Sequence, residues 1–120
     1  MEDAALGTVR SAFGLQGQKC SAASRVYIEE PLYDKVVQRM VELTEKFAVG
    51  DPTERQVYLG PVINKKAYMD YQSYITDLAA AGTILTGGKQ LKGGIYDKGY
   101  FCAPTIVADV PRDHPLWKKE

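Results

Sequence analysis

Residues 17–28 read GQKCSAASRVYI, and two kinds of backbone meet within them. The first half belongs to a longer aperiodic run, GLQGQKCSAAS, whose two glycines permit conformations and close approaches that a side chain forbids. The second half, Arg25–Ile28, is β-branched and aromatic and predicts a short strand, which Pro31 ends because it supplies no ladder donor. Upstream, Ala5, Leu6, Val9, Ala12 and Phe13 fall at helical spacing with Glu2 and Asp3 at the positive end of the dipole, so 2–13 predicts a helix closed near Gly14. Downstream, an apolar stripe through Val36, Val37, Met40, Val41, Leu43 and Phe47 predicts a helix over 32–49.

A connector rich in glycine and proline follows, GDPTERQVYLGP, and Asn64 then offers an N-cap. The third helix places Ala67, Tyr68, Tyr71, Ile75 and Leu78 on one side, with Gly82 expected as its C′ residue. Packing of the tyrosine rings, with hydroxyls reaching water or a backbone partner, is the simpler account of that face than a binding surface. TILTGG predicts a second strand, KQLKGGIYDKG an exposed turn, and YFCAPTIVADV an extended segment bent or edged at Pro104. Helices lying between strands in one chain of this length point to a single α/β layered domain over 1–120, without repeats or an internal linker.

Fifteen basic residues offset fifteen acidic ones with no single-sign block, which excludes the broad positive field that nucleic-acid binding uses. No run approaches the ~20 apolar residues of a bilayer span, and the N-terminus has neither the basic start nor the apolar core of a signal peptide, so a cytoplasmic chain with no membrane partner is expected. Two cysteines far apart make no disulfide framework, and with His114 as the one histidine no metal-ligand spacing occurs. GGKQLKGG matches neither GxGxxG nor the P-loop pattern and reads as a surface turn.

The chemistry-bearing candidates are therefore the thiols. Cys102, among apolar neighbours in GYFCAPT, suits core packing. Cys20 lies among Gly14, Gly17, Ser21, Ala22 and Ala23, small residues that let main-chain amides approach a sulfur and the oxyanion formed by its attack. Lys19 adds a positive charge in sequence, although adjacent side chains in an extended loop point apart. Spacing alone leaves two readings open, a nucleophile or a buried structural cysteine.

GQKCSAASRVYI resembles the nucleophile segment of the aldehyde dehydrogenase superfamily, in which a Gly-Gln-x-Cys loop precedes a strand of the catalytic domain. VGDP, LGPVIN, the GG after TILT, and GYFCAPTIVADVP follow in that family's order, so the resemblance covers the whole chain. Within it, SAFGLQGQKCSAASR is most similar to the pyrroline-5-carboxylate (glutamate γ-semialdehyde) dehydrogenases of proline degradation. The resemblance implies part of a three-layer αβα catalytic domain. It also implies that Cys20 attacks a small aldehyde, with its own amide in the oxyanion hole. Ser21 matches the position that helps hold the substrate carboxylate, an assignment that stands beside a loop-stabilising hydrogen bond. Phe13 lines the aldehyde tunnel or is a core ring, and Gly17 and Gln18 shape the loop. NAD or NADP serves the full-length family, but its binding domain, the general base and the second oxyanion donor have no counterpart in this sequence. The expectations are thus no cofactor bound by these residues, no turnover by them alone, and self-association, as a homo-oligomer or through exposed sheet edges. Two other readings stand beside this one: a non-catalytic assembly module, and a stand-alone peroxide-reducing thiol protein with Cys102 as resolving partner.

Overall fold

The computed structural model describes residues 1–119. Three helices are the largest elements: α1 (Glu2–Phe13), α2 (Glu30–Glu45) and α3 (Lys65–Ala81). Two short strands, β1 (Thr83–Thr86) and β2 (Ile106–Ala108), pair antiparallel, with Thr83 opposite Ala108 and a bulge between Ile84 and Thr86. Single 3₁₀ turns occupy Gly14–Gly17, Gly94–Lys98 and Pro115–Trp117. Helices packed on a small sheet make this an α/β unit.

The apolar stripes explain the packing. Ala5 and Val9 of α1 meet Val36 and Met40 of α2 in the buried core, and Phe13, Ile28, Leu43, Phe47 and Ile106 close around them. Thr44 is buried as well, its hydroxyl satisfied by the Met40 carbonyl at 2.7 Å. At the solvent edge of the same helix pair, Arg39 bridges Glu2 and Glu42, which lowers both carboxyl pKa values and raises its own. Tyr71 anchors α3, its hydroxyl lying 2.8 Å from the Ala103 carbonyl and 2.9 Å from Thr105 Oγ1, and Tyr68 packs its ring on Tyr100 with centroids 5.5 Å apart. Asn64 caps α3 as its sequence position predicts, accepting from the Ala67 amide at 2.9 Å.

Several expectations need correction. Residues 25–28 form no strand, because among the described residues nothing pairs with their backbone, and a strand exists only against a partner. Pro31 therefore ends nothing; it opens α2 from its first turn, where a missing N–H costs no bond, and α2 runs two residues earlier and stops four residues sooner than the stripe suggests. Gly82 does follow α3, but with an extended backbone instead of a left-handed cap. Its small size is needed because a Cβ there would lie 2.5 Å from the Ala108 carbonyl oxygen. The exposed turn is shorter than expected as well: Lys89–Leu91 pairs with Phe101–Ala103 through a Gln90–Cys102 bridge, leaving Gly94–Lys98 as the turn itself.

Candidate nucleophile site

The loop that carries Cys20 begins where α1 stops. The Gly14 amide still reaches the Arg10 carbonyl, after which Leu15, Gln16 and Gly17 all take positive φ, 53°, 60° and 73°. Gly17 is the residue that this path demands, since a Cβ there would sit 2.9 Å from the Ala12 carbonyl. The two non-glycine residues are held in a costly region, and side-chain hydrogen bonds supply the restraint. Gln16 donates from Nε2 to the Pro61 carbonyl and accepts at Oε1 from the Gly60 amide, both at 3.2 Å. Gln18 accepts from the Ile63 amide at 2.9 Å. Two glutamines thus latch the loop to LGPVIN, forty-five residues away, and Gln18 and Gly17 shape the loop as the sequence suggests.

The next four residues close a turn, with the Ala22 amide donating to the Lys19 carbonyl at 3.1 Å. Cys20 and Ser21 occupy its tip, and both are exposed. Among the described residues nothing engages the Cys20 amide, the Ser21 amide or the Ser21 hydroxyl, so a free thiol and three free polar groups share one corner. The reading of Cys20 as a buried structural cysteine is therefore excluded. The Lys19 ammonium folds back instead, lying over Gly14 near the Tyr58 hydroxyl.

Beside this corner is a cavity of about 560 Å³. Phe13, Ala22, Val37, Met40 and Leu78 contribute apolar lining, and Cys20 lies at its wall. Phe13 serves in two ways, packing on the α1–α2 core edge-on to Phe47 at 6.2 Å and lining the cavity. Lys19 and Arg25 are the charged residues of the lining; no carboxylate or imidazole contributes to it. Arg25 is occupied, since Nη1 donates to the Lys119 carbonyl at 2.8 Å, and next to it Tyr27 stacks on Trp117 at 5.8 Å.

Cys102 differs in every respect. It is half-buried in the bridge to Gln90, lines a separate apolar cavity, and burial pushes its thiol up to about 11. Such a thiol is a poor resolving partner, which argues against the peroxide-reducing reading. His114 caps the last 3₁₀ turn, its Nδ1 accepting from the Leu116 amide at 3.2 Å. No metal-binding cluster of three donors occurs among the described residues. In the glycine-rich turn, Gly87 and Gly88 face Pro104 and Ile84 so closely that a Cβ would clash, so close packing accounts for these glycines. No helix is long and apolar enough to cross a membrane.

The family model described as "Aldehyde dehydrogenase family" matches residues 1–120. The 1-pyrroline-5-carboxylate dehydrogenase of Geobacillus sp. (strain WCH70) is 43% identical over 120 residues, all of this chain and 22% of that protein. The enzyme of that name from Bacillus subtilis (strain 168) is 44% identical over 117 residues, 98% of this chain and again 22% of the relative. Among solved structures, 1-pyrroline-5-carboxylate dehydrogenase from Thermus with bound NAD superposes with a TM-score of 0.89 at 39% identity, over 99% of this chain and 22% of that one. Betaine aldehyde dehydrogenase from Staphylococcus aureus, in complex with NAD⁺, gives a TM-score of 0.93 at 26% identity over 99% of this chain and 24% of its own. The chain thus spans about a fifth of the length of the relatives it matches.

Proposed function

The chain belongs to the aldehyde dehydrogenase family, and from that premise we propose that residues 1–120 are the nucleophile-bearing segment of a 1-pyrroline-5-carboxylate dehydrogenase, which oxidises glutamate semialdehyde to glutamate in proline catabolism in the cytoplasm. One observation carries the reading: Cys20 stands exposed at the tip of a turn whose Cys20 and Ser21 amides have no internal partner. The Cys20 sulfur, as thiolate, attacks the aldehyde carbon; a C–S bond forms, the carbonyl π pair moves to oxygen, and the Cys20 amide donates to that oxygen. The Ser21 hydroxyl, unoccupied within the chain, is suited to hydrogen-bond the far carboxylate of the substrate, and Phe13 walls the aldehyde's path.

The hydride acceptor of the complete reaction is NAD or NADP, for which the residues around Cys20 offer no cradle. Their own part ends at covalent capture, because no carboxylate or imidazole in the lining is placed to activate water for release. Exposed apolar side chains such as Tyr27 (83%) and Ile63 (79%) favour homo-association of these residues. The test is NADH formation from glutamate semialdehyde and NAD⁺ by the isolated 120 residues. None is expected above a Cys20→Ala control, and turnover above that control overturns the division of labour.

A further inference from the structure

The Gln16 side chain joins a strained backbone to a fixed one. On its own side, Leu15 and Gln16 hold φ of 53° and 60°, a region that side chains disfavour, and the Leu15 side chain is 65% exposed. The segment that Gln16 grips is held independently of the loop. The Tyr58 and Leu59 amides donate to the Ala48 carbonyl at 2.9 and 3.1 Å, the Val62 amide donates to the Tyr100 carbonyl at 2.8 Å, and Leu59 is buried. Gly60 packs so closely on Pro52 that a Cβ would lie 3.3 Å from its ring. Gln16 both donates to and accepts from the main chain of this anchor, at Pro61 and Gly60. The Ala23 amide, donating to the Ser11 carbonyl at 3.3 Å, fixes where the turn returns to α1; Gln16 fixes the path by which it leaves.

We infer that Gln16 is a positioning residue for carbonyl attack, setting the direction of the Cys20 amide relative to the Cys20 sulfur without touching substrate. This role presupposes the reading above, in which Cys20 is the nucleophile and its amide the oxyanion donor. Sulfur and amide must meet the carbon and the oxygen of one carbonyl together, a geometry that tolerates errors of only about 0.5 Å and 10–20°. Alkylation of the same sulfur has no second atom to satisfy.

Two reactions of Cys20 in the 120-residue protein test the role. With p-nitrophenyl acetate the thiolate adds to the ester carbonyl, a C–S bond forms, and the tetrahedral oxyanion expels p-nitrophenolate, whose release above a Cys20→Ala control gives the rate. With iodoacetamide the thiolate displaces iodide and no oxyanion forms, so the ratio of the two rates reads the donor and discounts changes in thiolate fraction. The ratio should exceed that of N-acetylcysteinamide by at least about tenfold. It should fall at least about fivefold in Gln16→Met, which keeps the side chain's length but neither bond, and less in Gln16→Glu, which still accepts from the Gly60 amide. Tyr71→Phe loosens the fold away from the loop and should leave the ratio unchanged. Where Gln16→Met does not fold, Gln16→Glu against Tyr71→Phe carries the same comparison. A ratio in the unsubstituted protein no higher than that of the free thiol overturns this role together with the oxyanion role of the Cys20 amide. A raised ratio that the Gln16 variants keep, or that Tyr71→Phe loses equally, overturns the role of Gln16 alone.

Discussion

Gln18 accepts a hydrogen bond from the Ile63 amide at 2.9 Å, so the turn that presents Cys20 is tied to the chain entering α3 as well as to the end of α1, where the Ala23 amide donates to the Ser11 carbonyl at 3.3 Å. Gln16 adds a two-point contact to Gly60 and Pro61. These bonds offset the cost of two consecutive non-glycine residues at positive φ.

Removing either latch has a graded outcome. Gln16→Ala, which leaves the Gly60 amide and the Pro61 carbonyl without their partner, should cost about 1 kcal/mol or somewhat more in urea unfolding. Gln18→Glu keeps the acceptor that Ile63 needs and should retain more stability than Gln18→Ala. Equal losses for the two Gln18 variants contradict this role.

The two thiols should react at different rates. Cys102 is half-buried with its pKa pushed up to about 11, which leaves on the order of a thousandth of it as thiolate at pH 8. Iodoacetamide should therefore label exposed Cys20 at least about tenfold faster, as read by peptide mass spectrometry. Preferential labelling of Cys102 would sink the distinction.

Alkaline stability should depend on the same buried thiol. Its pKa is raised from 9.0 to about 11 in the fold, so the unfolded chain loses that proton first. The stabilisation is complete below pH 9 and is lost as pH rises through about 11. Tyr71, whose pKa burial also raises, adds to the loss at the upper end. Cys102→Ala should flatten the decline between these limits in a series of thermal melts; an unchanged slope argues against it.

Tyr71→Phe removes the hydroxyl that joins the Ala103 carbonyl to Thr105 and lies 3.1 Å from the Lys89 carbonyl. The variant should lose roughly 0.5–1.5 kcal/mol by chemical denaturation, the ordinary worth of a hydrogen bond, because the Ala103 and Lys89 carbonyls keep their bonds from Thr105 Oγ1 and the Ala103 amide. A loss within error would show that water replaces the hydroxyl.

The helices were the most legible part of the sequence, since the stripes through Ala5–Phe13 and Val36–Phe47 report directly on the face that each buries. Arg25–Ile28 misled because β-propensity describes a residue's fitness for a sheet, whereas pairing depends on a partner that the described residues do not supply. Gly82 was expected where a glycine stands, but for a backbone angle; what requires it is the approach of β2 from twenty-six residues away. In the site, Cys20 and its small neighbours were visible as a motif. Gln16 was not, because an amide bonded to backbone across the fold leaves no local pattern. The tie from Arg25 to the Lys119 carbonyl was hidden for the same reason.

The account rests on the Cys20 sulfur as the attacking atom, and the most direct measurement places residues 1–120 in the Bacillus subtilis 1-pyrroline-5-carboxylate dehydrogenase in place of the segment they match. NADH formation from glutamate semialdehyde is then followed for this graft and for its Cys20→Ala and Cys102→Ala variants. The graft and its Cys102→Ala variant should oxidise the aldehyde, and Cys20→Ala should fall by at least roughly a thousandfold. An active graft that keeps its rate without the Cys20 thiol would contradict the account.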